Sequence, residues 1–382
     1  MFVLGIFFKT LQLFSCHGAK ITDCFLQLGA MKGSILYGVL NWGLGHATRS
    51  KVLIDALLEA NFAVTLASDG NALKWLRQEY PHLPYLNLPA YNVHYAKGQK
   101  QTLKLLHQLP KIAAAAAAEN RVLKKYVAQN IVSGIISDNR LGFYHAQIPS
   151  VYLSHQLSIK IKYGAALAGW AHRYYIKKYQ QCWVPDDAQH TLSGQLSQYS
   201  GAKLDLRFTG LLSRYSEVDK VETATLSPKI LAVLSGPEPQ RGILQAALLE
   251  QMAAWPQQEF QLVCGVKEIP TRVPKNVEAF GRLSSKELIK LLGAAHLVIS
   301  RSGYSSLMDY AALGKKALLI PTPGQGEQEY LAQHLETYYG TVQQFELSLK
   351  SDCEKALAKP GLQLAANSAA QLLPLFGLLQ GK

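Results

Sequence analysis

The residues best suited to chemistry sit in glycine-bearing loops, one set in each half of the chain. The first is Asn41-Trp42-Gly43-Leu44-Gly45-His46-Ala47-Thr48-Arg49, between a short apolar run and an amphipathic stretch. Its glycines, Gly43 and Gly45, let backbone approach a ligand closely. The helix start that follows offers unpaired N–H groups and a positive dipole end. Taken as a dinucleotide fingerprint the loop lacks its third glycine, Thr48 standing there instead, although Asp69 at the end of the next strand could serve as the ribose acid. His46 takes a position that such a loop gives to a small or apolar residue. An imidazole at a helix N-terminus keeps a low pKa and accepts a proton near neutrality. A capping or solvated histidine is the plainer alternative, but the carboxyl end of a strand favours a general base. Arg49, three residues on, falls on the same helix face.

The second set is Ser300-Arg301-Ser302-Gly303-Tyr304-Ser305-Ser306-Leu307-Met308-Asp309-Tyr310-Ala311-Ala312-Leu313-Gly314. A strand ending in small and hydroxyl residues, followed at once by a helix, makes an anion nest suited to a diphosphate. Asp309 lies near enough to the helix start to accept from ribose hydroxyls, and Gly314 ends the helix as a C-cap. In the next loop, Pro321 to Glu329, Gln328 and Glu329 could hold sugar hydroxyls; an ordinary strand–loop–helix connection with a capping acid is an equal reading. A third loop, Leu234 to Arg241, offers Ser235, Gly236 and Arg241 to phosphate, while Pro237 and Pro239 remove donors.

These loops need strands and helices to hold them. From Ser34 onward short β-type runs alternate with amphipathic stretches, the signature of wound parallel sheets. The N-terminal half carries strands at Ile35–Leu40, Phe62–Ala67, Ile131–Ser137 and Ser150–Leu153, with helices at Ala47–Ala60, Asn71–Gln78 and between Gln101 and Gln129. The C-terminal half carries strands at Lys229–Leu234, Phe260–Cys264, Val277–Phe280, His296–Ser300 and Lys316–Ile320. Its helices fall at Gly242–Ala254, Ser284–Leu292 and Tyr304–Leu313. The irregular, mixed-charge stretch Arg214–Ser227 is the expected junction. The expected division is therefore α/β with two Rossmann-like wound domains, 31–215 and 228–360, and a C-terminal helix over 361–382 returning to the N-terminal domain. Residues 1–30 are expected to be a poorly structured extension ahead of Met31, since Met1–Phe14 is apolar but too short to span a bilayer.

Bulk composition narrows the classes. At 382 residues, with 48% apolar and 17% charged, the chain is globular and long enough for two cores. Five scattered cysteines form no metal-ligand or CxxC spacing, which favours a reducing cytoplasm. The net charge of +13 favours anionic partners such as nucleotides or acidic lipid, yet no zinc-finger, RNA-binding or zipper pattern supports sequence-specific nucleic-acid binding. No Asp-x-Asp pair is present to hold Mg²⁺ or Mn²⁺, so no metal and no other cofactor is expected.

With these motifs in hand, residues from Met31 to Leu335 resemble the GT-B glycosyltransferases, in particular the group with a family 28-like C-terminal domain that transfers N-acetylglucosamine to the lipid-linked peptidoglycan precursor. The resemblance implies that Gly43, Gly45 and His46 form the acceptor-facing loop with His46 as base. It likewise implies that Arg301, Ser302, Gly303 and Asp309 grip the donor, with aspartate where glutamate is usual. Gln328 and Glu329 take the donor-sugar positions, the second glutamine being replaced, and Ser235-Gly236 and Arg214 take the diphosphate-loop and junction positions. The implied activity is metal-independent, inverting transfer of a hexose, N-acetylglucosamine or a relative, from a UDP-sugar to a lipid-linked or cell-envelope acceptor. A nucleotide-sugar hydrolase, a 2-epimerase and a non-catalytic nucleotide-sugar-binding subunit share the architecture.

Two basic, aromatic segments suit an anionic lipid surface and a peripheral place on the inner membrane face. They carry Lys97, Lys100, Lys104, His107, Lys111, Arg121 and Lys124, then Lys160, Lys162, Tyr163, Trp170, Arg173, Tyr174, Tyr175, Lys177, Lys178 and Tyr179. Solvated helix faces over core aromatics read equally well for any single residue. Asp138, Arg140 and His155 follow N-terminal strands and are expected on the acceptor side.

Overall fold

The computed structural model describes residues 31–92, 108–158, 165–199, 201, 204–215 and 227–380. The expectations for 1–30, for Lys97, Lys100, Lys104, His107, Lys160, Lys162 and Tyr163, and for most of the junction lie outside them.

The N-terminal lobe runs β1 (Gly33–Val39), α1 (Gly45–Glu59), β2 (Phe62–Ser68), α2 (Gly70–Glu79), β3 (Tyr85–Asn87), α3 (Leu109–Val127), β4 (Gly134–Asp138), β5 (Ser150–Leu153), α4 (Ala165–Ile176), β6 (Gln181–Val184) and β7 (Asp205–Phe208). Its strands form one sheet in the order β3-β2-β1-β4-β5-β6-β7, every pair parallel. Helices cover both faces of such a sheet, which is why β1 reads as a continuous apolar run: Ile35, Leu36, Tyr37 and Val39 are all fully buried.

The C-terminal lobe runs β8 (Ser227–Val233), α5 (Gln240–Ala253), β9 (Phe260–Val263), β10 (Val277–Phe280), α6 (Ser285–Ala294), β11 (Ala295–Ser300), α7 (Tyr304–Leu313), β12 (Ala317–Leu319), α8 (Gly326–His334), β13 (Gly340–Thr341), α9 (Leu349–Leu357) and α10 (Ala369–Leu372). Its sheet has the order β10-β9-β8-β11-β12-β13, again parallel. The order reverses between β1 and β4 in one lobe and between β8 and β11 in the other, and ligands of wound sheets bind in the crevices opened at those switch points. The glycine loop and Asp138 stand at the first; the Ser235-Gly236 loop and Arg301-Ser302 stand at the second.

Differences from the sequence reading lie mostly in short elements. The strands β3, β6, β7 and β13 and the helices α4, α8 and α9 were not anticipated, while the expected helix between Gln101 and Gln129 is described from Leu109, with Pro110 in its first turn. Gly314 does cap α7, in the left-handed region at φ 60°. Among the described residues no helix is long and apolar enough to cross a membrane.

After α9 the chain passes back to the first sheet. Ala366 bridges Leu211, and α10 packs on α1. Phe376 is fully buried, its ring edge-on to Phe62 at 6.0 Å and tilted against Trp183 at 6.1 Å. Truncation to Phe376→Ala is expected to cost about 3–5 kcal/mol of stability through lost burial and a residual cavity, measured by urea unfolding of the full chain.

Candidate active site

The register of β1 against β4 determines where the first site forms. Val39 pairs with Asp138, and the Leu40 N–H donates to the Asp138 carbonyl at 3.0 Å. The chain therefore enters the glycine loop at the level where β4 presents its terminal carboxylate. Gly43 turns the loop with φ +81°. Asn41 anchors it, its Nδ2 donating to Asp69 at 3.1 Å and its Oδ1 accepting from the Ala72 N–H at 3.2 Å.

Asp138 is fully buried, and the first turns of α1 supply its partners. Arg49 Nε donates to Oδ2 at 2.8 Å and Arg49 Nη2 donates to Oδ1; Ser50 Oγ donates to Oδ2 at 2.9 Å. His46 Nδ1 lies 2.8 Å from Oδ1. Burial by itself would raise the Asp138 pKa, but the charges and hydrogen bonds of Arg49 and His46 outweigh it and hold the carboxyl well below the usual carboxylate range. Facing an ionised carboxylate, His46 Nδ1 carries the proton and donates it. Arg49 Nη2, 2.9 Å from the same nitrogen, directs its hydrogens to the carboxylate, because a donating Nδ1 cannot also accept. Nε2 is thereby left as the basic nitrogen of a side chain that is 14% exposed. Burial, followed by the neighbouring Arg49 charge, pushes the His46 pKa down against the opposing pull of Asp138.

The other lobe meets this site directly. Ser305 Oγ, in the first turn of α7, donates to the Gly45 carbonyl at 3.0 Å, and a Cβ on Gly45 would lie 2.9 Å from the Ser305 hydroxyl and press it out of this position. Tyr304 is buried at the same junction: its ring stacks on His155 with centroids 3.9 Å apart, and its hydroxyl donates to the Pro185 carbonyl at 2.7 Å. His155 bridges the lobes through its two nitrogens, Nδ1 3.0 Å from Arg49 Nη1 and Nε2 2.9 Å from Glu327 Oε1. Burial would raise the Glu327 pKa, but His155 and the nearby cations lower it overall.

His46, Arg49, Asp138, His155, Gly45, Tyr304 and Ser305 thus converge. Other expected residues stand elsewhere. Arg140 does not line the crevice: it is fully buried, donating to Glu119, to Asp69 at 2.7 Å and to the Pro89 carbonyl at 2.8 Å. Arg301 is 1% exposed and ties loop ends together, donating to the Ile320, Pro321 and Gln240 carbonyls and to Gln344 at 2.6 Å. Burial brings its pKa down to about 10. Asp309 accepts from Ser213 at 2.9 Å and from Arg214 at 3.0 Å, and burial raises its pKa despite Arg214. Gln328 and Glu329 brace their own loop, accepting from the Thr322 and Gly324 N–H groups at 2.8 and 2.7 Å, and Ser302 Oγ donates to the Gln328 carbonyl at 2.7 Å. Ser235 and Gly236 are exposed beside the second switch point, where Arg241 pairs with Glu238 and reaches the Cys264 carbonyl at 3.1 Å. Gly303 has open space around it.

Sequence reasoning missed Glu327 and Ser50. Ser50 is four residues after His46, the helical spacing that returns to one face. Glu327 sits one residue before Gln328, and the rotation of α8 decides which of the adjacent polar residues faces the other lobe.

Residues 232–372 match the glycosyltransferase family 28 C-terminal domain, and residues 33–153 match glycosyl transferase family 1. The chain belongs to the GT-B glycosyltransferases, with a C-terminal domain of the family 28 type. A segment of 47 residues is 45% identical to the UDP-N-acetylglucosamine--N-acetylmuramyl-(pentapeptide) pyrophosphoryl-undecaprenol N-acetylglucosamine transferases of Methylobacterium radiotolerans and Methylorubrum populi, spanning 12% of this chain and 13% of theirs. Among solved structures, the glycotransferase of kitacinnamycin superposes with a TM-score of 0.61 at 15% identity, covering 91% of this chain and 95% of that one. Acinetobacter baumannii MurG superposes at 0.54 and 14% identity, covering 90% and 98%. The spinosyn rhamnosyltransferase complexed with thymidine diphosphate gives 0.58 at 14%, covering 91% and 96%. At these identities the structural likeness establishes the fold.

The electrostatics carry a pH dependence. The unfolded chain protonates His46 near the ordinary imidazole pKa of about 6.5 while the folded chain holds it neutral. Unfolding free energy is therefore expected to fall as pH drops through that value. His172, lowered to about 4 by burial, adds to the same slope. In His46→Gln the slope should be shallower but not flat, checked by urea unfolding at a series of pH values between about 5 and 7.5.

Proposed function

We propose that this chain transfers a hexose, N-acetylglucosamine or a relative, from a UDP-sugar to a hydroxyl of a lipid-linked or other cell-envelope acceptor, without a metal and with inversion at the anomeric carbon. The observation that carries the reading is the His46–Asp138 pair, 2.8 Å apart at a sheet switch point and against the N-terminus of α7. His46 Nε2 takes the acceptor proton as the acceptor oxygen attacks the anomeric carbon and the bond to the diphosphate breaks on the opposite face. Asp138 holds the ring in the tautomer that leaves Nε2 free and stabilises the imidazolium that forms. Negative charge gathering on the leaving diphosphate is met by N–H donors at Gly303–Ser305 and the positive end of α7, with Arg214 and Arg241 contributing cationic charge nearby. The names of the matched transferases support a nucleotide diphosphate donor, and they supply both uridine and thymidine as nucleosides to test.

The surface supports an anionic lipid environment for the acceptor. Trp170 and Tyr174, four residues apart on α4, are 63% and 52% exposed, and Lys178 lies over the Tyr174 ring. Arg173 and Lys177 flank them, a combination suited to the headgroup region of a membrane. The buried free cysteines Cys182, Cys264 and Cys353 support a reducing, cytoplasmic setting.

Thermal shift against UDP-, GDP- and TDP-sugars, followed by nucleotide release with and without a lipid extract, tests the donor and the reaction together. The expected result is stabilisation by a UDP-hexose and release that depends on the extract. Equal release in its absence would move the reading to a hydrolase. His46→Ala and Asp138→Asn should each lower turnover by about two to four orders of magnitude while preserving the donor-induced thermal shift. Turnover unchanged in His46→Ala would remove it as the base.

A further inference from the structure

His155 has one arrangement of protons that satisfies both of its nitrogens. Arg49 Nη1 can only donate, so His155 Nδ1, 3.0 Å away, accepts. The proton of the neutral ring is then on Nε2, which donates to the Glu327 carboxylate at 2.9 Å. A doubly protonated ring would set an N–H against the Arg49 N–H. Tyr304 fixes the ring plane, stacking within 8° of parallel. The groups that meet the ring are thus Arg49 on α1, Tyr304 on α7 and Glu327 on α8, and two of these three come from the C-terminal lobe.

Arg49 also donates to Asp138, through Nε to one oxygen and Nη2 to the other, and Asp138 in turn orients His46. A continuous chain results: Glu327 to His155 to Arg49 to Asp138 to His46. The geometry points to His155 as a positioning residue that couples contact between the lobes to the base, so that α7 and α8 must stand against the N-terminal lobe before Arg49 is locked and His46 is correctly set. This inference rests on His46 being the base and adds to it a residue that acts on the base through Arg49 and Asp138.

The physical consequence of breaking the chain has a definite sign. Once His155 no longer accepts from Nη1, a buried N–H of Arg49 is left without its acceptor, and the guanidinium turns away from Asp138 to find another. Arg49 both repels protonated His46 and competes with it for Asp138 Oδ1. Loosening it strengthens the His46–Asp138 pair and raises the pH at which His46 titrates.

The test uses the full chain without ligand, with ¹⁵N-labelled histidine, and follows both imidazoles by NMR across a pH series. Wild-type His155 is expected as the Nε2–H tautomer. His155→Phe keeps an aromatic ring against Tyr304 but cannot accept from Arg49, and should move the His46 midpoint upward by about half a pH unit or more. His155→Gln, whose amide can accept from Arg49 and donate to Glu327, should return the midpoint most of the way. Glu327→Leu, on the opposite lobe and partly exposed, serves if His155→Phe does not fold; it removes a carboxylate whose own charge favours protonated His46, so an upward shift in this variant reports the loosening of Arg49 against that loss. A His46 midpoint unmoved in both His155→Phe and Glu327→Leu, or an Nδ1–H tautomer in the wild type, would overturn the coupling. Either result would leave the base assignment standing, because that assignment fails separately, through turnover preserved in His46→Ala.

Discussion

An ionised carboxylate sealed beneath a parallel sheet's edge of loops is the interaction on which the N-terminal half of the site depends. Removing Asp138 from water costs several kcal/mol unless its lone pairs are filled. Here they are filled by His46, Arg49 and Ser50, which fall at the spacing that brings side chains to one face of α1. A single helix therefore docks onto the end of β4 through four hydrogen bonds from three side chains, and the glycine loop has no freedom to wander between them. Position of the loop and ionisation of the carboxylate are one and the same constraint: protonating Asp138 would loosen the helix, and shifting the helix would leave a buried charge without partners.

The same solution recurs in two further places. Arg140, fully enclosed, joins Glu119 on α3 to Asp69 at the end of β2, and Asp69 holds Asn41 of the glycine loop. Arg301 gathers carbonyls from the loop after β12 and the first residue of α5 together with the Gln344 side chain, so that three segments around the second switch point share one planar cation. Each arginine spreads its donors in a fixed fork, which suits it to fastening loops that carry no regular backbone pairing of their own. Both lobes thus fasten irregular segments at their switch points by burying a guanidinium under them rather than by extending strands or helices.

How much of this could be read from residue order follows from what each feature requires. Long amphipathic and apolar runs announced the wound sheets, and the strand–glycine–helix joins at Gly45 and Gly303 marked the loops that meet where the two lobes face each other. Strands such as Tyr85–Asn87 and Gln181–Val184 were missed because three or four residues are too few to show a periodicity. In the site, His46 and Arg49 were legible from the motif. That Asp138 would meet them was not, since it depends on β1 and β4 being neighbours across nearly a hundred residues of sequence. Arg140 and Arg301 stood correctly beside the chemistry in sequence yet lie inside the protein, because a residue type says that a charge is present and not on which side of a loop it ends. Glu327 was passed over for its neighbours for a similar reason: only the rotation of α8 separates a residue facing His155 from one bracing its own turn.

The return of the last described residues to the first sheet bears on the order of synthesis. Phe62 and Trp183 are made early, and Phe376 reaches them only after the strands and helices of the C-terminal lobe have been synthesised. During elongation the N-terminal lobe must therefore wait with an apolar notch open to water, even though its strands and helices are already available. Its completion and that of the C-terminal lobe coincide, so a ribosome-bound chain passes through a stage in which neither lobe is finished and the growing polypeptide is most exposed to aggregation or to capture by a chaperone.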